Sequence, residues 1–144
     1  MAELAGADGI IVHLRLDRKH INDRDVRILR NVVQTKLILE MASTSEMVGV
    51  ALDIKPDLVT LVPEKREEFT AEGGLDLIVH RADVSDTVTT LQNSGMPVGL
   101  LVDPEPEQIK LAHKIGASLV EIRTATYCDA KTAQKKTPGL FKHC

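Results

Sequence analysis

The apolar residues of this chain are gathered into five short runs, and each run carries a polar or charged residue at or near its end. Gly9 to Leu14 (G-I-I-V-H-L) delivers His13 and then Arg15, and Lys36 to Met41 (K-L-I-L-E-M) delivers Glu40. Asp57 to Glu64 ends in Glu64, Pro97 to Asp103 ends in Asp103, and Ser118 to Thr124 carries Glu121 and Arg123. Amphipathic stretches of helical period lie between them. Strands covered on both faces by helices read as continuous apolar runs rather than alternating ones. A strand–helix order of this kind demands right-handed crossovers and a mostly parallel sheet. Polar groups at the C-terminal ends of parallel strands are where a (β/α) barrel keeps its chemistry, so the pattern reads as a working rim.

The intervening stretches have readable boundaries. Ala2 to Ala7 looks like a helix end closed by Gly6. Asn22 or Asp23 caps a helix whose apolar face is Val26, Leu29, Val32 and Val33. Ser43, Thr44 or Ser45 opens the next, which runs through Met47, Val50 and Ala51 to about Ile54 and stops at Lys55-Pro56. Pro63 to Gly74 is the longest loop, with Gly73-Gly74 as its hinge. A helix from about Val84 to Asn93 ends at Ser94-Gly95. Pro104 or Pro106 starts another, with Ile109, Leu111, Ala112 and Ile115 toward the sheet and Gly116 closing it. Thr132 to Cys144 is polar and poorly periodic, a loose tail after a domain spanning residues 1–131.

A closed barrel takes eight strands and about 250 residues. Five strands in 144 residues leave two architectures open: an incomplete (β/α)8 TIM barrel or a five-stranded doubly wound sheet. The second would normally carry a Gly-rich turn after its first strand, where this chain has His13-Leu14-Arg15-Leu16-Asp17.

Composition narrows the function classes. Aromatic residues make up 2% with no Trp, so the core is built of Val, Ile, Leu and Ala, and base-stacking platforms for nucleic acid are not expected. A net charge of −3 argues against a polyanion partner. The basic cluster of Arg15, Arg18, Lys19 and Arg24 suits a small phosphorylated metabolite, or is a solvated loop. No apolar run approaches the ~20 residues of a membrane span, and the first residues lack the features of a signal peptide. Two cysteines, Cys128 and Cys144, fit a reducing cytoplasm. The five histidines do not pair with them at metal-ligand spacing, so no metal is expected.

Three places could carry acid/base work. Strand alternation puts His13 and Arg15 on one side, with His20 reaching back from the following loop; an imidazole suits proton transfer and a guanidinium suits a phosphate. Glu40 ends an apolar strand, where a carboxylate costs several kcal/mol unless partnered or protonated. Its pKa should therefore rise toward the range of a general base, unless it sits in a structural salt bridge. Leu119, Glu121 and Arg123 share one face, either as an internal ion pair or as part of a charge-stabilising site. Glu64 and Asp103 sit at strand-to-loop joints, where acidic residues are often caps.

These residues lie in stretches that resemble the pyridoxine 5'-phosphate synthase family. The stretches are A-G-A-D-G-I (Ala5 to Ile10), V-H-L-R-L-D-R-K-H-I-N-D-R-D-V (Val12 to Val26), L-E-M (Leu39 to Met41) and L-V-P-E-K-R-E-E-F-T-A-E-G-G-L-D (Leu61 to Asp76), with E-Q-I-K (Glu107 to Lys110) and E-I-R-T-A-T-Y-C-D-A-K (Glu121 to Lys131). The resemblance implies a TIM barrel that condenses 1-deoxy-D-xylulose 5-phosphate with 3-amino-2-oxopropyl phosphate, giving pyridoxine 5'-phosphate, inorganic phosphate and water without metal or organic cofactor. It implies that His13 and Glu40 are acid/base residues and that Glu121 stabilises developing positive charge. It assigns Arg15, His20 and Thr70 to the deoxyxylulose phosphate, and Glu72, Gly73 and Gly74 to a mobile lid. It also implies a cytoplasmic homo-oligomer.

The chain departs from the family pattern as well. An Asn-x-Asp-His strand, an N-A-G-H-G-L motif and glycine-rich sites for the second phosphate do not occur, and the motif resemblance stops near Lys131-Thr132. Arg123 stands where the family has His, and Ala125 where it has Gly. The expectation is a truncated member; the alternative is an inactive barrel fragment that self-associates or binds a phosphorylated sugar without turnover.

Overall fold

Each apolar run becomes a strand, and each amphipathic stretch the helix that follows it, in a computed structural model that describes residues 1–70 and 73–129. The strands are β1 (Gly9–His13), β2 (Lys36–Met41), β3 (Leu58–Leu61), β4 (Val98–Val102) and β5 (Leu119–Ile122). The helices are α1 (Asp23–Val32), α2 (Ser45–Ile54), α3 (Arg81–Asn93), α4 (Pro106–Ile115) and α5 (Ala125–Asp129), with short 3-10 turns at Glu3–Ala5 and Arg66–Glu68. The tail from Thr132 to Cys144 lies outside the described residues.

The sheet order is β1-β2-β3-β4-β5, every pair parallel. A doubly wound sheet must reverse its strand order and place helices on both faces. Here the order never reverses, and α1 packs on α2, α2 on α3 and α3 on α4. The winding is that of an incomplete (β/α)8 barrel, and the doubly wound alternative falls.

Local chemistry fixes the ends. Asn22 caps α1 through a reciprocal capping box with Asp25, and Thr44 accepts from the backbone N–H of Met47 at the start of α2. Gly6 and Gly116 take left-handed backbone after the first turn and after α4. Lys55 stops α2 in the same left-handed conformation, φ 53°.

Some details differ from expectation. Val32 is 56% exposed, because it lies about 120° round the helix from Val26. In α4 the buried stripe is Gln108, Ala112 and Ile115, while Ile109 is 39% exposed. Gln108 is drawn in because its carbonyl accepts the Leu77 N–H at 3.0 Å. Helix α3 begins at Arg81 rather than Val84, since Asp76 accepts from the N–H groups of Ile78 and Val79 and starts the coil early. The long loop contains a 3-10 turn and an antiparallel bridge between Phe69 and Leu75.

The two faces of the sheet are unlike. Leu37, Leu39, Met41, Val59, Leu61, Val98, Leu100 and Val102 point at the helices and are fully buried with Val26, Met47, Val84, Val88 and Leu91. The strand runs predicted cover on both faces, but the other face is open. On it Ile11 is 56% and Leu119 37% exposed. Among the described residues no helix is long and apolar enough to cross a membrane.

Candidate active site

Strand register brings the site together on the open face. His13 is paired in register with Glu40, Glu40 with Thr60, Thr60 with Gly99 and Gly99 with Leu119. Side chains at one level on one face of a sheet point the same way, so His13, Glu40 and Thr60 form a row. Gly99 leaves a gap in that row, and through it the Thr60 hydroxyl donates to Glu121 Oε1 at 2.7 Å, across β4. A Cβ on Gly99 would meet Leu119 Cδ1 at 2.6 Å and Thr60 Oγ1 at 3.3 Å.

Glu40 is half-buried and its carboxyl is raised above the usual range, first by burial and then by the Glu121 carboxylate, with His13 opposing. The expected rise is present. Its nearest basic group is the imidazole, His13 Nδ1 standing 4.0 Å from Glu40 Oε2. That is too long for a hydrogen bond. No Lys or Arg salt bridge to Glu40 exists among the described residues. Both groups therefore keep proton-transfer capacity toward whatever occupies the open face.

The other nitrogen of His13 is engaged. Nε2 lies 3.1 Å from Glu64 Oε1, and the second oxygen of Glu64 accepts the Leu16 N–H at 2.8 Å. Glu64, read from sequence as a cap, does cap Leu16, but it also grips the imidazole.

The residues assigned to phosphate share no hydrogen bond or ion pair with His13, Glu40 or Glu121 among the described residues. Arg15 makes a bidentate pair with Asp17, at 3.0 and 2.8 Å, and the guanidinium beside it holds the Asp17 carboxyl down to about 2. Arg18 bridges Asp23 and Glu46, so half of the basic cluster is already neutralised within the chain. His20 is exposed on the loop, and none of the hydrogen bonds among the described residues involves it.

Thr70 belongs to a third group. Its hydroxyl donates to Asp103 Oδ2 and accepts from the N–H groups of Gly73 and Gly74 at 3.0 and 3.1 Å. One donor and two acceptor positions exhaust a hydroxyl. Asp103 is buried and also accepts from Gly74 N–H. Arg123 donates to the Gly73 carbonyl at 3.1 Å, and no salt bridge joins it to Glu121 among the described residues, so the internal ion pair is excluded. Gly73 has φ +98°, a left-handed conformation that favours glycine. Glu72 lies outside the described residues.

Sequence reasoning missed Thr60 and Gly99. Thr60 is the polar residue inside L-V-T-L-V, a signal that was present; Gly99 acquires meaning only once β3 and β5 are known to flank β4. No group of three or more His, Cys, Asp or Glu suited to a metal ion occurs among the described residues.

This geometry is accompanied by extensive similarity. The family model described as pyridoxal phosphate biosynthesis protein PdxJ matches residues 1–143, running past Lys131-Thr132, where the motif resemblance stops. The pyridoxine 5'-phosphate synthase of Desulfatibacillum aliphaticivorans is 58% identical over 132 residues, which cover 92% of this chain and 56% of that protein. The synthase of Syntrophotalea carbinolica is 53% identical over 142 residues, covering 99% of this chain and 59% of the relative. That of Synechococcus sp. is 57% identical over 140 residues, 97% of this chain and 59% of the relative. The chain thus spans between half and three-fifths of the length of these curated relatives. With the sheet winding and a near full-length family match in agreement, the chain belongs to the PdxJ family of pyridoxal phosphate biosynthesis proteins.

Proposed function

We propose that this chain carries the deoxyxylulose-phosphate side of a pyridoxine 5'-phosphate synthase site, for the condensation of 1-deoxy-D-xylulose 5-phosphate with 3-amino-2-oxopropyl phosphate. The observation that supports it most is the convergence of His13, Glu40 and Glu121 on one open sheet face, with the Glu40 carboxyl raised. When an amine adds to a ketone, the nitrogen must lose a proton and the departing hydroxyl must gain one. Water then leaves and an iminium cation remains. Glu40 and His13 are the groups that move those protons, and Glu121 is the anion that stabilises the cation. Ring closure releases the second water and inorganic phosphate. Arg15 and His20 hold the sugar phosphate, Arg15 by exchanging Asp17 for the ligand's oxygens. Thr70 is a further contact to the sugar phosphate, and Gly73-Gly74 beside it belong to the lid that keeps water from the carbinolamine.

Calorimetric titration with 1-deoxy-D-xylulose 5-phosphate tests this reading. Weak binding that Arg15→Ala abolishes is expected; absence of binding, or binding indifferent to Arg15 and His20, would overturn it. The exposed Ile11 and Leu119 on the open face favour a second reading, in which the chain binds the sugar phosphate or associates with itself without turnover. Steady formation of pyridoxine 5'-phosphate by the purified chain from both substrates would reject that second reading.

A further inference from the structure

Glu64 makes two hydrogen bonds of different kinds, and together they leave His13 little choice of tautomer. One carboxylate oxygen takes the Leu16 N–H at 2.8 Å, and the other faces His13 Nε2 at 3.1 Å. The side chain is 11% exposed, so solvent has little room to replace either partner. A carboxylate only accepts, and an imidazole nitrogen that faces one must therefore carry its hydrogen. We propose that Glu64 is a positioning residue that fixes neutral His13 as the Nε2–H tautomer and aims the Nδ1 lone pair into the space beside Glu40. This rests on the reading of His13 as an acid/base group. A ring nitrogen held by a carboxylate is the usual way a protein sets which nitrogen of a histidine is free to react.

Glu64 is itself held in place. The N–H groups of Glu64 and Lys65 both donate to Glu68 Oε2, at 2.9 and 3.2 Å. On the other side, Leu14 N–H donates to the Glu40 carbonyl, tying the strand that carries His13 to the one that carries Glu40. The grip on His13 therefore comes from the first residues of the loop that ends at Gly73-Gly74, and displacing that loop's start would release the ring.

The test uses the isosteric substitution Glu64→Gln. Glutamine offers one acceptor oxygen where glutamate offers two. The Leu16 N–H is fixed by the backbone and can only donate, so it claims that oxygen. The amide NH2 then faces His13 Nε2, which must become the acceptor. Nitrogen-15 NMR of the 144-residue chain, recorded at a pH where the ring is neutral, reads the tautomer directly. Expected are a protonated-type signal at Nε2 and an unprotonated-type signal at Nδ1 in the parent chain, and an exchange of the two in Glu64→Gln. The Nδ1–H tautomer in the parent chain overturns the proposal without any variant, and so does an unchanged tautomer in a folded Glu64→Gln. The spectra need neither substrate nor turnover. Failure here leaves the function reading standing, and failure of sugar-phosphate binding leaves this one standing.

Discussion

The two faces of the sheet are made from alternate residues of the same five strands, yet they obey different rules. The helix-facing set, from Leu37 to Val102, is aliphatic and buried without exception in β2, β3 and β4. The open set mixes His13, Glu40, Thr60, Glu121 and Arg123 with exposed Ile11 and Leu119. Hydrophobic stabilisation scales with apolar area removed from water, so the first face supplies most of what holds the fold. The second face holds partly buried charge against that stability, as sites for acid/base chemistry commonly do. Neighbouring residues such as Leu39 and Glu40 thus belong to different economies.

The sharpest way to break this contrast is to truncate one residue from each face. Leu39→Ala leaves a cavity among fully buried neighbours and should cost about 2–5 kcal/mol in urea unfolding. Ile11→Ala, already half in water, should cost under about 1 kcal/mol. Equal losses would mean that the open face is packed in solution by something that covers it.

Two glycines sharpen the comparison at the next level. A Cβ on Gly74 would lie 2.6 Å from the Asp103 backbone nitrogen and 2.9 Å from its carboxyl group. Backbone cannot yield cheaply, so Gly74→Ala should cost about 1–3 kcal/mol. A Cβ on Gly99 meets the tip of the Leu119 side chain at 2.6 Å, which has open space to turn into. Gly99→Ala should therefore cost less than Gly74→Ala by thermal unfolding; a reversal would place Leu119 in a rigid setting. Thr60→Val removes the hydroxyl donated to Glu121 and should cost about 1 kcal/mol.

How much of this the sequence disclosed follows from the range of the forces involved. All five strands and the main helices were legible, because an apolar run and an amphipathic period are local properties. The capping positions were legible for the same reason to within a residue or two, and the structure selects Asn22 over Asp23 and Thr44 over Ser43 and Ser45. Winding was not: a single direction and a doubly wound sheet use the same local pattern, and only the pairing of β2 with both β1 and β3, and of β3 with β4, which leaves β1 at the sheet edge, separates them. Glu40 could be predicted to have a raised carboxyl, since burial at a strand end is enough to cause it. That Glu64 would hold His13 could not, because 51 residues separate the two. Thr60 and Gly99 were passed over because their meaning is a relation across three strands.

The smallest effect expected concerns Glu40 itself. Its carboxyl is raised in the folded chain by burial and by Glu121. Below the ordinary glutamate value of about 4.3 the group is protonated in both states and contributes nothing. As pH rises through that value, the unfolded chain releases its proton while the folded chain retains it. Ionisation then favours the unfolded state, so stability declines until the folded carboxyl has titrated too, and stays lowered above that. Glu40→Gln keeps the shape and removes the titration. Urea unfolding should find the variant more stable than the parent chain near pH 7.5 and equal to it near about pH 4. A variant less stable at neutral pH would mean that the Glu40 carboxylate is held by a cation on the open face, and the division between a stabilising and a reactive face would not survive it.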